Sequence, residues 1–245
     1  MKSEDPMSDL LEKVLDAHGG LENWRRVRTI DFRLTLRGRA LEVKQQPNGL
    51  RDVLVKVDTQ QTRTLITPFP VSGHRGVFET DHVRIETAAG VQLSMLKGPR
   101  ESFAGYQPQT PWSESQFLYF IGYALHNYMT MPFLLAKDGV QCEELAQHQE
   151  NGETWRVLKA SFPSGMHVHC REQKFYFNDA GYLVRNDYSP DVSGGSAAHY
   201  SFDHGIFDGF LVPTHRRVVF RDPSDRPHLA APSIFRLDLE SIVIS

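Results

Sequence analysis

The sequence predicts a mainly antiparallel β protein of the α+β class. It should form a wide curled sheet, a half-barrel, covered by a central helix pair and preceded by a short amino-terminal helix. Three observations carry this. Apolar and polar residues alternate with period two from Thr29 almost to the carboxy terminus, the pattern of half-buried strands. Turn residues punctuate the alternation, so strand follows strand as a meander, without the βαβ alternation of a parallel doubly wound sheet. A single apolar run, residues 117–136, interrupts the meander.

The elements follow in order. Ser8 caps a helix whose Leu10, Leu11, Val14 and Leu15 recur at helical spacing, and Gly19-Gly20 stops it. Residues 21–27 add a further turn, with Trp24 inward. Ile30, Phe32, Leu34 and Leu36 then alternate with Asp31, Arg33, Thr35 and Arg37. Strands are expected over 50–57, 61–66, 77–80 and 82–87, with another beginning at Gly90. A loop rich in Gly, Pro and Gln precedes Ser113-Glu-Ser-Gln116, a capping box that opens the helical insertion, about 113–136. Pro132 should break this insertion into two helices. Strands 140–147 and 154–162 meet at Asn151-Gly152, a strong hairpin signal. A ladder of strands fills 167–221, and 234–244 is the last strand. The total, roughly nine to eleven strands, is too wide to lie flat, so the sheet should curl. No linker divides the chain, and residues 1–245 read as a single domain.

Composition narrows the function classes. The chain has 245 residues and a formal net charge of −3, with both signs interspersed, so no basic footprint for nucleic acid is present. The 117–136 run has the length of a membrane span, but Gly122, His126, Asn127 and Pro132 within it favour burial against protein over lipid. Its amino-terminal residues, Met-Lys-Ser-Glu-Asp-Pro-Met, show no apolar signal region, and cytoplasmic residence is the expectation. Two cysteines, Cys142 and Cys170, make no disulfide framework. The nucleophile elbow, the P-loop, His-Glu-x-x-His, paired Cys-x-x-Cys and Gly-x-Gly-x-x-Gly are all missing, and no cofactor is called for.

The candidate site lies on the ladder. Residues two apart share a face of a strand, so His167, His169, Arg171, Gln173, Phe175 and Phe177 should form one row. His199, Ser201 and Asp203 form a second row, and His215 with Arg217 a third. Three readings are open: a solvated open face; a ligand site where His and Arg orient a polar group while Phe175, Phe177, Tyr182 and Tyr188 hold an apolar body; and a metal site on His167 and His169 with His199 or His215. His126, in the apolar run, either is a satisfied core histidine or meets the ligand. Cys170 reads as a buried thiol pointing away from the histidine row.

One family shares this order of parts. His18-Gly-Gly-Leu-Glu-Asn-Trp24 after a short helix, then Phe175-Tyr-Phe-Asn-Asp-Ala-Gly-Tyr-Leu-Val-Arg185 and Phe207-Asp-Gly-Phe-Leu-Val-Pro-Thr-His-Arg216 in a late meander, resemble the LolA/LppX-like half-barrel superfamily of lipoprotein carriers. The resemblance implies an incomplete barrel whose helices plug an apolar cavity that accepts acyl chains or other hydrophobic molecules. A cytoplasmic relative of similar fold, the violacein-pathway enzyme VioE, shapes a reactive intermediate without a cofactor. The expected function is therefore binding of a small hydrophobic or amphipathic molecule, with no integral membrane association. The alternative is a cofactor-free cyclase or isomerase of specialised metabolism, with His169, Arg171 and His199 as candidate catalytic groups.

Overall fold

A computed structural model describes residues 8–245. The expectation for the amino-terminal residues 1–7 lies outside the described residues. Helix α1, Asp9–Ala17, is capped by Ser8, whose Oγ accepts from the Leu11 N–H at 3.2 Å, and Leu10, Leu11, Val14 and Leu15 are buried. Helix α2, Leu21–Trp24, follows, and Trp24 stacks on Phe133 at 4.3 Å.

One antiparallel sheet contains all the named strands. In chain order they are β1 Thr29–Arg37, β2 Leu50–Asp58, β3 Arg63–Thr67, β4 His74–Glu79, β5 His82–Thr87, β6 Gln92–Lys97, β7 Gln141–Glu150, β8 Glu153–Ser161, β9 Glu172–Phe177, β10 Leu183–Tyr188, β11 Ala197–Phe207, β12 Phe210–Phe220 and β13 Phe235–Ile244. The thirteen lie in the order β6-β5-β4-β3-β2-β1-β13-β12-β11-β10-β9-β8-β7. Strands β1 and β13 join the two wings in antiparallel register from Ile30↔Ile244 to Arg37↔Arg236. The edges β6 and β7 do not pair, so the curled sheet stays open as a half-barrel. Asn151 (φ 50°) and Gly152 (φ 82°) make the β7–β8 turn that the sequence requires.

Three sequence expectations change here, the first being the strand count, which is thirteen and not roughly nine to eleven. A short helix α3, Arg39–Val43, follows β1. The central helix pair is one helix, α4, Glu114–Thr130, followed only by a 3-10 turn at Phe133–Ala136. Pro132 ends α4 as expected, and the segment between it and β7 makes only that 3-10 turn. The capping box forms: Ser113 Oγ accepts from Gln116 N–H, and the Gln116 side chain accepts from Ser113 N–H.

Helix α4 is buried over nearly its whole length because it fills the concavity of the sheet. Its Gly122 has no room for a side chain: a Cβ there would lie 2.4 Å from Cβ of Phe78. This close approach lets Thr64 Oγ1 donate to the Gly122 carbonyl at 3.0 Å, fixing the helix to the β2–β5 wing. The adjoining side of α4 faces residues 167–170.

Candidate functional site

Tyr119, Tyr123 and Asn127 recur every fourth residue, so they make a polar stripe along α4. Residues 167–170 run beneath that stripe. Tyr119 Oη lies 2.9 Å from His167 Nδ1, Tyr123 Oη 3.1 Å from His169 Nδ1, and Asn127 donates to the His167 carbonyl at 3.0 Å. Tyr119 and Tyr123 stand about one helical turn apart on α4. The spacing of the histidines therefore matches that of the tyrosines.

This geometry corrects the expected histidine row. Strand β9 begins at Glu172, so His167, His169 and Arg171 are not on it. Arg171 is exposed and joins no cluster. His126 turns away from the stripe and meets the Gln61 carbonyl at 3.2 Å, as a core histidine. His215 and Arg217 lie on the outer face of β12, away from α4. There His215 meets Asp238 at 2.7 Å, and Arg217 donates to Ser233 Oγ and to the carbonyls of Leu229 and Ala231. The intervening Arg216 faces inward, paired across the ladder with Ser201. Phe177 is buried in the apolar core. Cys170 is half-buried, its Sγ 3.0 Å from the Glu172 carbonyl, and burial raises its pKa.

What the fold does bring together is His169, Phe175, Tyr188 and His199 with Asn127, Tyr128, Asn186, Ser201 and Arg216. Tyr128 Oη lies 2.8 Å from His169 Nε2 and 3.2 Å from Tyr188 Oη, which lies 3.5 Å from His199 Nδ1. His169 also stacks on Tyr188 at 4.0 Å. Burial holds His169 far below the usual imidazole range, at about 3, and pushes His199 well below it too. Both are neutral near pH 7. Both ring nitrogens of His169 are engaged by tyrosines, so it is no free ligand for a metal. Among the described residues, no group of three or more His, Cys, Asp or Glu is placed to hold a metal ion. The cluster encloses a void of about 10 Å³. That is water-sized, far below a drug-like pocket.

The larger space lies beside it. A groove of about 240 Å³ opens between α3 and the segments around 108–112, 193–194 and 232–235. Val43, Trp112, Ile234 and Phe235 give it an apolar lining, with Arg39 and Lys44 also on its wall. Gly38 makes this packing feasible: at φ 147° it brings its backbone so close that a Cβ would lie 2.2 Å from the Ile234 carbonyl oxygen. Lys44 Nζ sits 4.8 Å from the Trp112 ring centroid and donates to the Thr110 carbonyl. A smaller hollow of about 80 Å³ shares Ser193, Gly194, Ile234 and Phe235 with the groove and reaches Phe120 and Tyr188. Tyr188 thus stands between groove and cluster. Neither α3 nor the loop convergence was readable as a site, because the lining comes from four segments far apart in sequence.

The fold has known counterparts. A DUF1329 family protein from Desulfovibrio piger superposes with a TM-score of 0.53 at 11% identity, covering 98% of this chain and 93% of that one. A LolA superfamily protein from Nitrosomonas europaea gives 0.51 at 11% identity, covering 96% and 91%. A domain described as an outer membrane lipoprotein-sorting protein, from Vibrio parahaemolyticus, gives 0.51 at 10% identity, covering 97% and 91%. The chain therefore has the LolA-like half-barrel fold. No family model matches the sequence, and no curated protein matches it. Among the described residues, no helix is long and apolar enough to cross a membrane.

Proposed function

We propose that this protein binds a small, largely hydrophobic molecule in the groove between α3 and the 232–235 segment. The groove itself carries the reading: about 240 Å³ of space walled by Val43, Trp112, Ile234 and Phe235. Preformed, mostly apolar concavities with a few polar groups are the usual form of small-molecule sites. The lipoprotein-sorting description of one structural counterpart supports a hydrophobic cargo. Lys44 and Arg39 on the wall suit an amphipathic molecule with its polar end toward them.

The cofactor-free enzyme alternative would place acid–base chemistry on His169 and His199. Against it, both imidazoles are buried and hydrogen-bonded to tyrosines or packed on them, and the adjoining void admits no substrate. The binding reading is tested by titrating the full chain with N-phenyl-1-naphthylamine, a neutral apolar fluorophore. Saturable one-site binding is expected, weakened about tenfold or more by Val43→Glu, which sets a charge in the groove without disturbing the core. Val43 is 41% exposed, so the variant should fold. Absence of saturable binding, or equal binding by the variant, overturns the reading.

A further inference from the structure

Arg216 is the anomaly of the inner face. It is 2% exposed, yet among the described residues no carboxylate pairs with it. Its Nη1 donates to Ser201 Oγ at 3.3 Å and its Nη2 to the Tyr128 carbonyl at 3.1 Å; its guanidinium carbon lies 5.2 Å from the Tyr128 ring centroid. Its Nε has no hydrogen-bond partner in the protein, and neither has Nε2 of His199. Both residues line the same void of about 10 Å³. A buried cation without an opposite charge is costly, because low-dielectric surroundings do not replace the lost hydration.

The neighbouring hydrogen bonds can meet that need. Tyr123, His169, Tyr128, Tyr188 and His199 form an unbroken chain of contacts. Each neutral imidazole has one N–H and one acceptor nitrogen, so the protons along the chain can point one way or the other. Pointing toward His199, Tyr123 donates to His169 Nδ1, His169 Nε2–H to Tyr128, Tyr128 to Tyr188, and Tyr188 to His199 Nδ1. His199 then presents Nε2–H to the void. Ser201, which already accepts from Arg216, keeps its own O–H free to donate. The void is then faced by donors from His199, Arg216 and Ser201, beside one full positive charge.

We propose that this void is a binding site for a small monovalent anion, held by Arg216 Nε–H and His199 Nε2–H. The anion is either free, of halide or formate size, or the carboxylate end of a molecule reaching past Tyr188. The site stands independently of the groove reading. Its test is crystallography of the full chain in sodium bromide. An anomalous peak within hydrogen-bonding reach of both Arg216 Nε and His199 Nε2 is expected, and it should vanish in Arg216→Met. Competing the bromide out with sodium formate, but not with sodium octanoate, identifies a free anion; octanoate displacing it where octanol does not identifies an acyl carboxylate. A wild-type crystal with no anomalous peak in the void overturns the proposal, whatever the variant does and whether or not the groove binds its fluorophore. So does a peak that persists in a folded Arg216→Met protein.

Discussion

The two faces of strands β10, β11 and β12 solve the burial of polar groups in opposite ways. On the outer face, Arg185 is 1% exposed and clasps Asp187 with two bonds of 2.7 Å while donating to Glu150 at 2.6 Å. Tyr176 donates to Asp187 at 2.9 Å, Tyr200 donates to Glu150 at 2.7 Å, and both rings flank the guanidinium. Each charge there meets an opposite one. On the inner face, one residue away along each strand, His199 and Arg216 sit among tyrosines with no carboxylate. The outer network is locked by complementary charge. The inner cluster is held by neutral hydrogen bonds that depend on histidine staying unprotonated.

That difference should appear most strongly with pH. His18, His126, His169 and His199 are all buried with depressed pKa values, the first two near 4 and His169 near 3, chiefly through desolvation. In the unfolded chain each titrates near 6.5. The unfolded state therefore binds more protons as pH falls, so stability from these groups is complete above about pH 6.5 and declines below it. Each histidine contributes about 1.4 kcal/mol per pH unit between that value and its folded pKa. Urea midpoints measured from pH 7.5 to 4.5 should drop steeply below pH 6.5; a flat profile contradicts the neutral cluster.

Arg185→Ala comes next. It leaves the buried Asp187 with only the more distant Arg221, 3.7 Å away, and the half-buried Glu150 without its guanidinium, and should cost about 3–5 kcal/mol in urea unfolding. A loss under about 1 kcal/mol would mean that the outer network does not hold this wing.

His169→Phe keeps the ring stacked near Tyr188 but strands the hydroxyl of Tyr123 and leaves that of Tyr128 with Tyr188 alone. A cost of about 1–3 kcal/mol at pH 7.5 is expected, together with a shallower acid slope. An unchanged slope would show that His169 does not titrate on unfolding.

Arg216→Met sharpens the contrast by having the smallest effect. It removes a buried charge and leaves no carboxylate behind, so about 1.5 kcal/mol of loss or less is expected at pH 7.5. A loss as large as that of Arg185→Ala would erase the distinction between the faces.

These same residues show what the sequence could tell. Period-two alternation located β1 and most later strands, and Ser113 with Gln116 located the start of α4. Alternation alone does not say which face is inward. In His215-Arg216-Arg217 the outer pair looked richer in chemistry, but the register Ser201↔Arg216 turns the middle residue inward. His167-x-His169-x-Arg171 also has period two without being a strand. Besides backbone bonds to Phe162 and Asp191 in loops, its hydrogen-bond partners are side chains of α4 and of Arg100, which donates to the Val168 carbonyl at 3.1 Å. The stripe Tyr119, Tyr123, Asn127 on an apolar helix was the signal that could have located this pairing. The groove left no local signature, since α3 is only five residues long and the other walls are loops.

The groove, and not the histidine cluster, is the proposed seat of the hydrophobic molecule. Native mass spectrometry of the full chain with excess decanol tests it most directly, using wild type, Val43→Glu, Ile234→Asp and His169→Phe. One decanol per chain is expected in wild type and in His169→Phe, and none in either groove variant. Decanol retained by both groove variants, or lost only from His169→Phe, would contradict this assignment.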